Sequence, residues 1–305
     1  MPDARRSFSL TPFDGLLLLM VTIWGANYTV VKVAFREMPY LAFNATRLVV
    51  ASLAFVAVLG RDGWPRLTRR DWLQLAALGA IGHFIYQLLF MGGLSRTTVS
   101  NSALVVGCSP VVTSLVSAWV GHERVQKAQW AGVALSMAGV YLVVGRGAEL
   151  HGAHLVGDLL MLGAVCCWAV YTVGSRSLLT RMPPLVVTGL STILGTLMYA
   201  PIALPDLART PWPALSPGVW AAILYASILS LNVSYLIWYT SVLRIGNVRT
   251  SAWSNLIPLI AIAIAALVLG ERVTGATLAG AAAILSGVTL TRLASRAKVE
   301  PPAEE

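Results

Sequence analysis

An all-α integral membrane protein is what this sequence predicts, with ten transmembrane helices in two inverted five-helix repeats around a central cavity. Three observations predict it. The chain is 57% hydrophobic and 11% charged over 305 residues, with a mean hydropathy of +0.73, whereas soluble domains carry about 25% charge. Its apolar runs recur at the length a helix needs to cross a bilayer, roughly 20 residues. Its two halves also repeat one another at shifts of 144 to 149 residues. No stretch is long or polar enough for a separate soluble domain.

The apolar runs lack the alternation of barrel strands, so each is expected to be a helix, with all of its backbone bonds satisfied internally. The spans fall near 13–35, 39–60, 71–93, 98–120 and 126–145, then 155–176, 183–204, 217–241, 246–269 and 274–292. The first five form one repeat (13–145) and the last five a second, inverted one (155–292), between cytoplasmic tails at 1–12 and 293–305. Ahead of the first span, Arg5-Arg6 and Phe8 faintly resemble a twin-arginine signal. No small-residue cleavage site follows and further spans do, so an uncleaved first helix is expected.

Ten spans put both termini on one face of the membrane. With the N-terminus inside, Arg5, Arg6, Arg61, Arg66, Arg69, Arg70, Arg124, Lys127, Arg176, Arg181, Arg244, Arg249, Arg292, Arg296 and Lys298 are cytoplasmic. Arg36, Arg96, Arg146, Arg209 and Arg272 are outside. Fifteen against five sets the orientation by the positive-inside rule and gives a multi-pass protein of the cell (inner) membrane with both ends cytoplasmic. The net charge of +9 is therefore a topology signal. No basic stripe with interleaved aromatics appears, so nucleic acid is not an expected partner. Cys108, Cys166 and Cys167 lie within apolar segments at spacings that fit neither zinc nor a disulfide framework.

The repeat is ordered. A shift of 144 places Asp14 on Asp158, Trp24 on Trp168 and Pro39 on Pro183. A shift of 148 places Pro110 on Pro258, Glu123-Arg124 on Glu271-Arg272, Gly132 on Gly280 and Gly139 on Gly287. At 149, His83 falls on Asn232 and Tyr86 on Tyr235. Because each half has an odd number of spans, the second must enter the membrane upside down. Inverted repeats of this kind are a transporter architecture, with the substrate site at mid-membrane between the halves.

The residues carrying a family resemblance are Trp24-Gly25-Ala26-Asn27, Pro39 followed by Arg47, Ser109-Pro110 and Gly121-His122-Glu123-Arg124. Gly157-Asp158, Trp168-Ala169-Val170-Tyr171, Pro258 and Gly270-Glu271-Arg272 repeat the theme. Together, over nearly the whole chain, they resemble the drug/metabolite transporter superfamily, and within it the EamA-type exporters. The resemblance implies a ten-helix basket whose cavity is lined mainly by spans 1, 3, 4, 6, 8 and 9. The members most resembled are bacterial exporters of amino acids, aromatic ones included; other branches carry sugar phosphates or nucleotide sugars. His122 departs from the family, which has Gly or a small residue there.

Depth along each span picks out candidates. Trp24 and Trp168 sit near mid-membrane, although tryptophan prefers the interface, where Trp64, Trp72, Trp130, Trp212 and Trp220 lie. The deep pair is read as aromatic walls for a flat or apolar substrate, with bulky helix packing as the alternative. His83, Tyr86, Gln87 and Phe90 share a face of the third span, and Ile228, Asn232, Tyr235 and Tyr239 a corresponding stripe in the eighth. Polar stripes in lipid face a bundle interior or a wet cavity. Asn27 and Tyr28, Tyr171, and Trp253 with Asn255 complete the expected substrate-binding set. Pro110 and Pro258 are expected to kink their spans in mid-helix, as hinges or as static bends. Arg47, inside the second span, either holds a substrate carboxylate or neutralises helix-end carbonyls and snorkels; the second reading is preferred. Glu123 and Glu271 are read as charges at the N-termini of the spans they precede.

A secondary carrier is the expected function, exporting small metabolites, most of all amino acids including aromatic ones, by alternating access. No phosphate-binding loop is present, and His83 stands without the partners an intramembrane enzyme would need. A cavity of Trp, Tyr, Asn and His with few cations suits zwitterions better than phosphates. The alternatives are a sugar-phosphate, nucleotide or drug carrier of the same fold, and an enzyme. The expected partners are a small-molecule substrate and the lipid bilayer, with a monomer as the assembly. No cofactor and no catalytic residue is expected, and His151 with His154 is too weak a pair to hold a metal.

Overall fold

The computed structural model describes residues 12–61, 63–120, 127–146, 152–241, 253–254 and 256–296. Among these, every regular element is a helix: α1 (Pro12–Ala34), α2 (Tyr40–Arg61), α3 (Arg69–Arg96), α4 (Val99–Gly107), α5 (Ser109–Trp119) and α6 (Lys127–Arg146), then α7 (Gly152–Leu179), α8 (Pro184–Arg209), α9 (Pro217–Ser241), α10 (Leu256–Leu269) and α11 (Gly275–Arg296). Six of them, α1, α2, α3, α7, α8 and α9, are long and apolar enough to cross a membrane. Shorter apolar helices cover 99–113, 130–139, 256–269 and 275–287. Apolar side chains such as Leu16, Leu53, Leu73, Leu197 and Leu204 point outward, as contact with acyl chains requires.

The run 98–120, expected as one span, is two helices. Cys108 closes α4 in a tight turn, and Ser109-Pro110 opens α5, with the N–H of Val111 bonded back to the carbonyl of Cys108. Pro258 likewise lies in the first turn of α10. Pro110 therefore does not sit within a continuous stretch of helix as expected. In a first turn the N–H has no intrahelical partner to lose, which is where proline is tolerated. The break at Cys108 lies beside Pro258, since a Cβ on Gly107 would come within 3.0 Å of Pro258 Cγ.

Small residues let backbones meet. Between lipid-embedded helices there is little hydrophobic drive, and close packing at Gly, Ala and Ser replaces it. A Cβ on Gly139 (α6) would lie 2.8 Å from Gly280 O (α11), and one on Gly287 (α11) 2.5 Å from Gly132 O (α6). Gly79 in α3 meets Ser191 and Gly195 in α8, and Gly93 meets Gly157 and Met161 in α7.

Helix ends are joined across the chain. Lys32 Nζ, at the end of α1, donates to the carbonyls of Leu94 (2.6 Å) and Thr97 (2.7 Å), which the end of α3 leaves without intrahelical donors. Glu271 accepts from the N–H groups of Val99 (2.7 Å) and Ser100 (3.0 Å) and from Ser100 Oγ. This corrects the expected role of Glu271: the carboxylate caps α4, not the helix that follows it. Nearest-in-sequence reasoning failed because the open donors of α4 lie beside Glu271 in space. The other carboxylate of that expectation, Glu123, lies outside the described residues, as does His122.

Candidate functional site

Mid-chain residues of α1, α3, α7 and α9 bring their rings together. Trp24 meets Trp168 at 6.2 Å, Tyr235 at 5.8 Å and Trp238 at 5.6 Å between ring centroids. Trp168 meets Tyr86, Tyr171, Tyr235 and Trp238 within 6.5 Å. The cluster continues through His83 and Tyr171 to Tyr239. Trp24 and Trp168, 144 residues apart, thus touch edge to face, a geometry that aromatic quadrupoles favour. The indole N–H of Trp24 donates to the carbonyl of Ser230 at 3.1 Å.

The backbone beneath the cluster is unusual in two places. α3 carries a π turn over Ala80–Ile85 and α9 one over Tyr225–Val233. Such turns add a residue to the helical round and recur at functional sites. They also redirect the side chains beyond them, so the expected single face of α3 fans out. His83 turns to α7 and α8, where its Nε2 lies 3.2 Å from Tyr171 Oη and 3.4 Å from Thr192 Oγ1. Tyr86 stacks on Phe90, and Phe90 packs on Tyr28 of α1. Gln87 faces α2 and accepts from Arg47.

Arg47 corrects the sequence reading most. It is 2% exposed, too deep to snorkel, and it bonds no helix-end carbonyl among the described residues. Its Nε donates to Asn44 Oδ1 and its Nη2 to Gln87 Oε1, both at 2.7 Å. Tyr86, Tyr199 and Tyr235 lie within electrostatic range of the guanidinium.

Other expected residues separate from the rings. Asn232 donates to Ala51 O at 3.1 Å, tying α9 to α2. Asn27 is buried, with its Oδ1 unpartnered among the described residues. Trp253 is half-buried against the core, and Asn255 lies outside the described residues. Trp238, Tyr199 and Asn44 were missed. Trp238 falls one turn beyond Tyr235, but its repeat mate at 149 is Leu89, so the symmetry argument passed over it. Of the candidate metal pair, His151 is outside the described residues; among those described, no cluster of three metal-binding side chains occurs.

The sequence matches the model of the EamA-like transporter family over residues 12–145 and again over 155–293. A protein of Archaeoglobus fulgidus named "Uncharacterized transporter" is 30% identical over 90% of this chain and 96% of its own. The "Probable amino-acid metabolite efflux pump" of Salmonella typhimurium is 27% identical over 90% of this chain and 93% of its own. The "Probable terminal-alkyne amino-acid exporter" of Streptantibioticus cattleyicolor is 27% identical over 90% and 91%. A crystal structure 20% identical in sequence superposes with a TM-score of 0.67 over 96% of this chain and all of that one, which shows a shared fold.

Proposed function

From the premise that the chain belongs to the EamA-like transporter family, we propose that it is a secondary carrier exporting amino acids, aromatic ones among them, by alternating access around the cluster of Trp24, Trp168 and Tyr235. The carrying observation is the meeting of rings from four helices beside the buried polar groups His83, Gln87 and Arg47. Apolar ring faces suited to a flat side chain thus lie beside groups suited to a polar head. The two amino-acid exporters among the relatives support the substrate class.

Alternating access rests on two inverted halves, and contacts across the molecule support them. A two-fold axis in the membrane plane requires some residues to meet their own repeat mates. Ser52 Oγ lies 2.8 Å from Thr196 Oγ1, at a shift of 144, and Ser136 Oγ lies 3.5 Å from Ile284 O, at 148. Off the axis, mates must exchange partners. Gly139 abuts Gly280 while Gly287 abuts Gly132, and the shift of 148 converts one contact into the other. The paired π turns of α3 and α9 and the two matches to one family model agree with this reading. In it, α4 and α5 are one broken span, ten spans cross the membrane, and both termini are cytoplasmic. Pro110, at the break after Cys108, and Pro258 are the natural hinges.

Uptake of labelled phenylalanine and tryptophan into proteoliposomes, with unlabelled competitors and with or without a pH gradient, tests the reading. Saturable, competed flux that is lost in Trp168→Ala and reduced in His83→Ala is expected. Movement of sugar phosphates or nucleotides with no flux of either amino acid would overturn the substrate class and leave the fold standing.

A further inference from the structure

Arg47 is buried and has no carboxylate partner among the described residues. The single ion pair among the described residues, Arg181 with Asp71, lies elsewhere. The buried acid Asp158 is bonded to Thr97. An isolated buried cation is costly, and side-chain amides compensate it only in part. Two arms of the guanidinium are fixed by Asn44 and Gln87. The third, Nη1, is fully buried with no partner among the described residues, and so is Nδ2 of the adjoining Asn44. Tyr199 adjoins Asn44 and lies within electrostatic range of the guanidinium.

Fixed amides hold the guanidinium plane, and the open Nη1 is a charged donor suited to a carboxylate oxygen. The same amide, Gln87, follows Tyr86, whose ring packs on Trp168 in the aromatic cluster. A ligand with an anionic end at Arg47 would therefore extend its body among the rings.

We infer that Arg47, held by Asn44 and Gln87, is the carboxylate-binding residue of this carrier and selects aromatic carboxylates over their neutral analogues. This deepens the amino-acid reading and rests on it only for the identity of the cargo. The ligand class is one carboxylate joined to a flat apolar body.

Binding to the purified protein in nanodiscs, read by quenching of tryptophan fluorescence, separates the two claims. Phenylacetate and phenylacetamide are the probes, since they differ only in the charged group. Wild type is expected to bind the acid at least tenfold more tightly than the amide. Arg47→Gln should lose that preference by weakening the acid alone, and Arg47→Lys should restore part of it. Thermal unfolding of each variant shows whether it is folded. Equal wild-type binding of acid and amide overturns the inference even if no variant folds, as does an Arg47→Gln protein that folds and still prefers the acid. Arg47-dependent preference for phenylacetate without phenylalanine or tryptophan flux would sustain the carboxylate site and reject the amino-acid cargo.

Discussion

Trp24 of α1 reaches the backbone of α9, donating its indole N–H to Ser230 O at 3.1 Å, inside the π turn of that helix. Its ring meanwhile touches Trp168, Tyr235 and Trp238. One side chain thus joins the irregular backbone of one half to the aromatic cluster shared by both. Trp24→Phe keeps a ring and removes the donor, leaving the cost of one hydrogen bond, about 1 kcal/mol. Trp24→Ala also removes the ring and should cost about 3–5 kcal/mol. Unfolding temperatures of the two variants in detergent are expected to fall in that order. Equal losses would mean that the ring contacts contribute nothing.

Glycines at the crossing of α6 and α11 make a symmetric prediction. A methyl on Gly139 would meet Ile284 Cγ1 at 2.7 Å and Gly280 O at 2.8 Å; one on Gly287 would meet Gly132 O at 2.5 Å. Carbonyl oxygens on a packed helix cannot turn aside, so the helices must separate. Gly139→Ala and Gly287→Ala should each lose about 1–3 kcal/mol, typical of overpacking, and by similar amounts, because the contacts exchange under the repeat. Monodispersity and melting temperature after detergent extraction report both. A variant as stable as wild type would count against the close approach at that glycine.

The helical class was legible because burial in lipid writes long apolar runs, and offsets of 144 and 149 residues place Trp24 on Trp168 and Tyr86 on Tyr235. The depth argument picked out Trp24 and Trp168, which meet, but not Trp238, which joins them. Three kinds of fact were not legible. The π turns at Ala80–Ile85 and Tyr225–Val233 carry no residue signature, yet they decide that His83 faces Tyr171 while Gln87 faces Arg47. Capping across helices, as by Glu271 on α4, depends on spatial order. Arg47 was misread because a lone cation in an apolar helix has the same sequence signature whether it snorkels or is enclosed.

Acid stability follows from Glu37, in the loop between α1 and α2. Its carboxylate accepts from the N–H and the hydroxyl of Ser216, which precedes α9, at 2.9 and 2.8 Å. These bonds favour the charged form and hold the pKa below its ordinary value of 4.5, led by the backbone N–H. A carboxyl lowered by folding adds stability that is fully present above its unfolded pKa and is lost as pH falls through the folded one. Melting temperature should therefore decline below about pH 4.5, and Glu37→Gln should flatten that part of the curve while lowering the plateau at neutral pH. Parallel acid limbs for wild type and variant would show that Glu37 has no part in it.

Gly82 gives the sharpest test of the backbone under the site. It lies in the π turn of α3, and a Cβ there would overlap one edge of the Tyr171 ring, at Cγ, Cδ2 and Cε2. That ring is buried and fixed, with its hydroxyl 3.2 Å from both His83 Nε2 and Ser191 Oγ and its face against Trp168 and Tyr239. Gly82→Ala must displace Tyr171 or push α3 away from α7, at about 1–3 kcal/mol. Either movement breaks the His83–Tyr171 contact and shifts Trp168, so flux should fall even where the protein remains folded. The double variant Gly82→Ala with Tyr171→Ala removes the clash and should regain stability, but without the His83 partner it should not regain transport. Unchanged flux in Gly82→Ala would show that the His83–Tyr171 geometry does not matter to the carrier.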